Sequence, residues 1–459
     1  MEPVPRFPAG PAGIALRQGH PPHYRAMTNR LLRRLRSAEG QVGVIGLGYV
    51  GLPLAVAFAR AGLGTIGFDV DRGRTAAIGR GESYILDVPA EDILGAVESG
   101  ALAATADFAG IARVDAIVIC VPTPLGKTRE PDLSHVTAAV GQVAAHLRAG
   151  QLVVLESTTY PGALEEVVRP RLEAGGLRAG ADFLLAHSPE RIDPGRRGCT
   201  ARNIPKVVGG VDAESTAAAA ALYGPIVDTV VPVSSPSTAE MVKLLENTFR
   251  AVNIGLVNEV ALLCRKLGVD VWEVIDAAKT KPFGFMPFHP GPGLGGHCIA
   301  VDPFYLSWTA RRHGLQSRLV EAAGAVNAGM PRHVVDRVAE ALRSRSRAVP
   351  GSRVHLFGMA YKANVADVRE SPAIAVAELL QRGGAAVSYS DPFVPAVCEG
   401  SLALQAVPAD EALAGGIDCA VILTDHRGVD YAEIARRAPV VVDTRNALAG
   451  IEGAHIFRL

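Results

Sequence analysis

The sequence predicts an α/β protein: two Rossmann-like, doubly wound domains joined by a central helical domain with a long helix. Three observations carry this. A strand–glycine–helix–strand pattern of the nucleotide-binding kind begins near residue 42 and a related one near residue 353. Between them, residues 237–267 keep a helical pattern with Gly255 as their one internal glycine. The chain has 459 residues, 49% of them apolar and only 5% aromatic, with 49 glycines, which suits helices packed closely on sheets in two or three domains.

The elements follow in order. Residues 1–38 read as a flexible Pro/Gly-rich tail, without a signal-peptide core, followed by a short basic helix in "YRAMTNRLLRRLRSAEG", expected to be solvated. Residues 39–232 read as a first Rossmann domain. It opens with a strand at 42–45, then Gly46, Gly48 and Gly51 in the G-x-G-x-x-G spacing, then an apolar helix that stops at Gly62. The first two glycines let backbone approach a pyrophosphate at the helix N-terminus, and the third lets helix pack on strand. A second strand ends at Asp69, eighteen residues after Gly51, placed to bind a ribose 2′-hydroxyl and to repel a 2′-phosphate. NAD is therefore the expected cofactor, with Arg72 and Arg74 as nearby cations that oppose the preference. Further parallel strands are read in "DAIVICVP", "QLVVLEST" and "DFLLAHSPE". Residues 233–346 read as the helical, dimer-forming domain. Its long helix carries Leu244, Phe249, Ile254 and Leu262 on more than one side. This leaves a face for a partner, so a homodimer or a dimer of dimers is expected. Residues 347–459 read as the second Rossmann-like domain, with Gly358 after its first strand but without the full fingerprint.

Formal net charge is zero, which gives no support to nucleic-acid or membrane-surface binding. No apolar run has the length and purity of a membrane span. The six cysteines are scattered without a C-x-x-C, which speaks against a zinc ribbon or a disulfide framework and points to a reducing, cytoplasmic setting without a metal. One of them is special. In "GPGLGGHCIAVDP" a glycine-rich loop runs into Cys298, with Asp302 four residues on. Exposed backbone N–H groups and a helix start both favour a thiolate. A nucleophilic cysteine beside an NAD fingerprint can oxidise an aldehyde: thiol adds to carbonyl, hydride leaves, and water cleaves the thioester. His297 is adjacent, but neighbouring residues on a helix point apart. Lys243 and Asn247 share one helix face at i, i+4 within a mostly apolar stretch. Glu190 follows a strand end, where doubly wound sheets hold ligands.

Several stretches, in order, resemble the UDP-glucose/GDP-mannose dehydrogenase family over residues 41–459: "GLGYVGLPLA", "VPTPL", "ESTTYPG", "SPERIDPG", "KLLENTFRAVNI", "GPGLGGHCIAVDP" and "AYKANVADVRESPA". The resemblance implies an N-terminal NAD domain, a central dimer-forming domain and a C-terminal UDP-binding domain. It implies a two-fold oxidation of a sugar C6 alcohol to a carboxylate with two NAD. By the same resemblance Cys298 is the nucleophile, and Lys243 and Asn247 stabilise the developing oxyanion, Lys243 also moving a proton. Asp302 lies near the hydrolytic water, Glu190 is a base for it, and Thr159 lies near water and sugar. Tyr49, Val50, Thr123, Thr159 and Arg369 join Gly46, Gly48, Gly51 and Asp69 beside NAD. Gly295, Lys362 and Arg445 join Glu190, Lys243 and Asn247 on the substrate. Glucose-specific members carry Lys where this chain has Val301, and Phe-Leu where it has Arg191-Ile192-Asp193-Pro194. "SPERIDPG" and the cysteine loop look most like the branch that oxidises UDP-N-acetylglucosamine, with UDP-N-acetylmannosamine and UDP-glucose as the alternatives. Two rival readings need less. A two-electron hydroxyacid dehydrogenase of the 6-phosphogluconate type would require neither the cysteine nor a second nucleotide domain. A non-catalytic NAD-sensing protein would require neither Cys298 nor Lys243.

Overall fold

The computed structural model of the chain is described for residues 20–85, 88–126, 130–191 and 202–459, without the side chains of His297 and Cys298. The chain forms two compact units, residues 1–245 and 246–459, and the division falls inside the 32-residue helix Pro236–Leu267.

The first unit is built on an eight-stranded sheet in the order β3-β2-β1-β4-β5-β6-β7-β8. Its strands are β1 (Gln41–Ile45), β2 (Gly64–Phe68), β3 (Leu102–Thr105), β4 (Ala116–Ile119), β5 (Leu152–Leu155), β6 (Leu184–His187), β7 (Lys206–Gly210) and β8 (Val230–Pro232). The first six are parallel in the doubly wound order, and β7 runs antiparallel to β6. The runs Ala116–Ile119 and Leu152–Leu155 are buried throughout, as strands covered by helices on both faces must be. Helix Gly51–Arg60 ends just before Gly62, whose φ of +90° lets the chain turn into β2.

The basic helix Pro22–Arg36 departs from its expected solvated state. Tyr24, Thr28, Leu31 and Leu35 are buried, spaced so that they form one stripe. The Tyr24 hydroxyl donates to Asp212 at 2.9 Å, at the start of helix Ala213–Tyr223. The arginines occupy the other faces, so its basic composition hid a packed helix. The tail before it, residues 1–19, lies outside the described residues.

The second unit carries the rest of the long helix, then helices Val271–Ala278, His297–Arg312 and Arg318–Arg343. At Gly255 an added Cβ would come within 2.8 Å of the Ala323 Cβ, so the glycine permits close approach of two helices. Next comes a five-stranded parallel sheet of order β10-β9-β13-β14-β15. Its strands are β9 (Arg353–Phe357), β10 (Ala386–Ser390), β13 (Cys419–Ile422), β14 (Val441–Asp443) and β15 (Ile456–Arg458), with a hairpin of β11 (Ala396–Glu399) and β12 (Leu402–Gln405) between. Two Rossmann-like sheets with a helical segment between them is the predicted class. No helix among the described residues is long and apolar enough to cross a membrane.

Candidate active site

The first unit contains a dinucleotide cradle whose glycines each have a geometric reason. Gly46 has φ +88°, and a Cβ there would lie 2.8 Å from the Cys120 carbonyl oxygen. A Cβ on Gly51 would lie 1.8 Å from the Gly46 carbonyl oxygen, so any side chain would break the turn. Gly48 faces open space, with nothing within 4 Å of its would-be Cβ, on the loop where a pyrophosphate must approach. Tyr49 is exposed and Val50 caps the helix that starts at Gly51. Asp69, 5% exposed, accepts the Leu47 N–H at 2.8 Å and the Asp71 N–H at 2.9 Å, so its carboxylate is fixed at the end of β2. Arg74 sits 3.5 Å from the same carboxylate. Turn, open edge and anchored acid fit the adenosine half of NAD.

Two buried carboxylates tie the catalytic candidates of this unit in place. Thr159 donates its hydroxyl to Glu240 at 3.0 Å. Glu240 also accepts the N–H groups of Gly162 at 2.6 Å and Leu164 at 3.0 Å, and burial pushes its carboxyl up to about 7. It precedes Lys243 by one turn of the long helix, so the glutamate that fixes the "ESTTYPG" loop also fixes the stretch carrying that lysine. Lys243 is 6% exposed, and among the described residues its ammonium has no hydrogen bond or ion pair. Glu190 lies beyond the end of β6, where Lys206 donates to it at 3.1 Å and the Arg191 N–H at 2.8 Å. Lys206 also binds Glu156. Thr123, after β4, is buried.

In the second unit the cysteine loop leads directly into helix His297–Arg312, so Cys298 stands in the first turn, with Gly296 (φ +84°) as the preceding cap. The thiol itself lies outside the described side chains. Asp302 follows Cys298 by one turn and is 2% exposed. Asn247, fully buried, donates its amide to Asp302, and Arg250 donates to the Asn247 amide oxygen. These contacts fix which end of the Asn247 amide faces Asp302. The loop glycines are also closely packed. A Cβ on Gly296 or Gly295 would meet Tyr361 at 2.6 Å, and one on Gly291 would meet the Arg445 guanidinium at 2.7 Å. Arg445 donates to the Leu423 carbonyl at 2.9 Å, and burial lowers its pKa. Lys362 is half-buried in the loop after β9, and Arg369, exposed, chelates Asp367.

Glu156, Lys206, Glu240 and Arg250 escaped the reading of the sequence. Lys206 carried a signal, a charge at the head of the apolar strand "KVVGG". Glu240 stands three residues before Lys243, and only burial distinguishes it from a solvated helix glutamate.

The cradle and the second nucleotide-fold sheet define a dinucleotide-binding protein with two Rossmann-like domains. Comparison with known proteins makes this specific. The NAD binding domain, central domain and UDP binding domain of the UDP-glucose/GDP-mannose dehydrogenase family match residues 40–227, 237–329 and 355–450. The UDP-N-acetyl-D-glucosamine 6-dehydrogenase of Pseudomonas aeruginosa is 38% identical over 358 residues, covering 78% of this chain and 83% of that one. The UDP-N-acetyl-D-mannosamine dehydrogenase of Pyrococcus horikoshii is 35% identical over 425 residues, covering 91% and 98%. The solved structure of UDP-D-ManNAc dehydrogenase from Pyrococcus horikoshii superposes with a TM-score of 0.83 at 34% identity, covering 91% of this chain and 98% of that one. The chain belongs to the UDP-glucose/GDP-mannose dehydrogenase family, whose members are NAD-dependent nucleotide-sugar dehydrogenases.

Proposed function

We propose that the protein oxidises the C6 alcohol of UDP-N-acetylglucosamine to the carboxylate, in four electrons, through a thiohemiacetal and a thioester on Cys298. NAD, when bound by the cradle of Gly46, Gly48, Gly51 and Asp69, supplies the hydride acceptor for each oxidation. The protein's own groups do the rest. The Cys298 sulfur adds to the C6 aldehyde, a C–S bond forms, and the aldehyde oxygen takes the negative charge. The Lys243 ammonium and the Asn247 amide stabilise that charge, and Lys243 carries the proton of the first alcohol step. After the second hydride leaves, water attacks the thioester. Its proton goes to Glu190, the C–S bond breaks, and the electron pair stays on sulfur. Thr159 and Asp302 orient this water. Lys362 holds the nucleotide, Arg445 reaches the substrate and Gly295 borders the sugar, while Arg369 and Thr123 serve the cofactor.

The observation that carries the reading is the first turn of helix His297–Arg312. A cysteine at a helix start and, one turn on, a buried aspartate tied to Asn247 make a nucleophile and a water-orienting acid on one rigid element. For the sugar, the support is Val301, 4% exposed, where glucose-specific members carry Lys, together with the likeness to the Pseudomonas aeruginosa relative. A second reading, UDP-N-acetylmannosamine, is favoured by the Pyrococcus horikoshii relative. NADH release from UDP-N-acetylglucosamine, UDP-N-acetylmannosamine and UDP-glucose, with mass spectrometry of the product, tests both. The expected result is preference for the first and two NADH per uronic acid. Preference for another sugar overturns the substrate, and one NADH with aldehyde as product overturns the mechanism. Cys298→Ser should bind both ligands and release no acid.

A further inference from the structure

Lys206 opens β7, and its ammonium lies between two carboxylates. It donates to Glu190 at 3.1 Å and to Glu156, and its own side chain is 8% exposed. The two glutamates are not equivalent. Glu156 follows the last residue of β5, its side chain is sealed from solvent, and its second oxygen accepts the Tyr223 hydroxyl at 2.6 Å. Tyr223 also presents its ring to Lys206, 5.0 Å from the ammonium. Burial pushes the Glu156 carboxyl up to about 7 against the pull of Lys206. For Lys206, burial pulls its pKa down, but the charges of Glu156 and Glu190 more than offset this, so the ammonium stays charged. Glu190 keeps partial access to solvent, at 14% of its side chain. All of these groups gather where β5 and β6 end and the antiparallel β7 begins, the edge of a doubly wound sheet that faces ligands. Buried charges of this kind are retained only when paired, and a lone lysine among apolar strands would be costly.

We infer that Lys206 is a positioning residue for Glu190, with Glu156 and Tyr223 as its anchor: it holds the Glu190 carboxylate charged and aimed for the hydrolysis of the thioester. The inference rests on the assignment of Glu190 as the base. In that step the water oxygen bonds to the acyl carbon and one water proton goes to Glu190. The C–S bond breaks and the thiolate leaves. Lys206 touches neither water nor acyl group. It prevents the carboxylate from taking up a proton or turning away, and Glu156 prevents Lys206 from following Glu190 outward.

The test is pre-steady-state NADH release by the full-length enzyme with UDP-N-acetylglucosamine and with UDP-N-acetylmannosamine, followed by intact-protein mass spectrometry. Both hydrides leave before hydrolysis. A hydrolysis defect therefore keeps a burst of two NADH per site, slows the steady state and leaves an acyl adduct on the protein. Glu190→Gln is expected to slow the steady state by about 10²-fold or more. Lys206→Met should slow it by about 10²-fold, as expected of a misplaced base, and Lys206→Arg should restore most of the rate. The groups around Lys206 are Glu156, Glu190, Tyr223, Cys120 and His187. Of these Glu190 is the base, so loss of the neighbouring cation should move the acid limb of the kcat profile to higher pH. A structural defect would depress burst and steady state together and leave the limb in place. Lys206→Met strands two carboxylates, so Lys206→Met with Glu156→Gln removes one of them and keeps the chain foldable. If that double variant melts normally and hydrolyses at the wild-type rate, or if the limb does not move, the role of Lys206 is overturned while that of Glu190 stands. If Glu190→Gln hydrolyses normally, the assignment of the base falls, and this inference with it.

Discussion

We propose that Asp69 sets the cofactor preference by charge and position. Both of its oxygens accept backbone N–H groups, so the carboxylate cannot swing away from the end of β2. A 2′-phosphate would bring about −1.5 to −2 charges against it, and like charges held together cost several kcal/mol. Arg74 opposes this, 3.5 Å from the same carboxylate and half-exposed. The Asp69–Arg74 pair already occupies that guanidinium, so the carboxylate should win. We expect kcat/KM for NAD to exceed that for NADP by about 10²-fold or more, and Asp69→Ala to narrow the gap. Equal efficiency with both cofactors in the wild type would show that Arg74 turns toward the phosphate. This residue was legible in the sequence because the fingerprint fixes where strand, turn and acid fall. Glu156 and Lys206 were not, because their significance comes from pairing across strands distant in sequence, which spacing along the chain does not encode.

At the scale of elements, Glu240 joins a helix to a loop. Its carboxylate takes two backbone N–H groups and the Thr159 hydroxyl, and it rides on the same helix as Lys243. Burial raises its pKa from 4.5 to about 7. Between those values the unfolded chain gives up its proton while the folded chain keeps it. Stability from this group is therefore complete below about 4.5 and falls as pH rises toward about 7. Glu240→Gln removes the titration and turns an amide N–H₂ toward the Gly162 N–H, at a cost of about 1–3 kcal/mol. The penalty, read as the difference in melting temperature between wild type and variant, should be largest near pH 5 and shrink by pH 8. A constant difference across that range would mean that Glu240 is ionised throughout. The elements themselves were largely legible. The apolar runs of β4 and β5, the helix ending before Gly62 and the long helix beginning at Pro236 follow from periodicity and turn residues alone. The helix Pro22–Arg36 misled because arginine side chains cover its free faces, so its stripe of four buried residues is diluted in composition. The loop glycines at 291, 295 and 296 were only half legible. Glycine marks a close approach without saying to what, and here it is to Arg445 and Tyr361.

At the scale of the whole molecule, the long helix leaves a surface unaccounted for. Met241, Leu245, Phe249, Leu256, Leu263 and Leu267 are 39%, 62%, 47%, 55%, 55% and 67% exposed. Their spacings of four and seven residues put them on one stripe, along a helix about 48 Å long. The opposite face is consumed internally: Leu244, Ala251, Val257 and Ala261 are buried, while Ile254 and Leu262 are partly covered. A folded monomer seldom exposes so continuous an apolar strip without a partner, and a stripe on one helix suits a two-fold interface, in which the same surface meets itself. We propose a homodimer, alone or paired into a dimer of dimers, built on this stripe. Sedimentation equilibrium at micromolar concentration should give twice or four times the mass of the 459-residue chain. Leu256→Glu with Leu263→Glu places two charges in each copy of the stripe and should shift the mass toward the monomer. Neither residue is among the catalytic candidates, so a monomer that still binds NAD would separate assembly from folding. An active wild-type monomer, or a double variant that keeps its mass, would mean that something other than self-association covers the stripe.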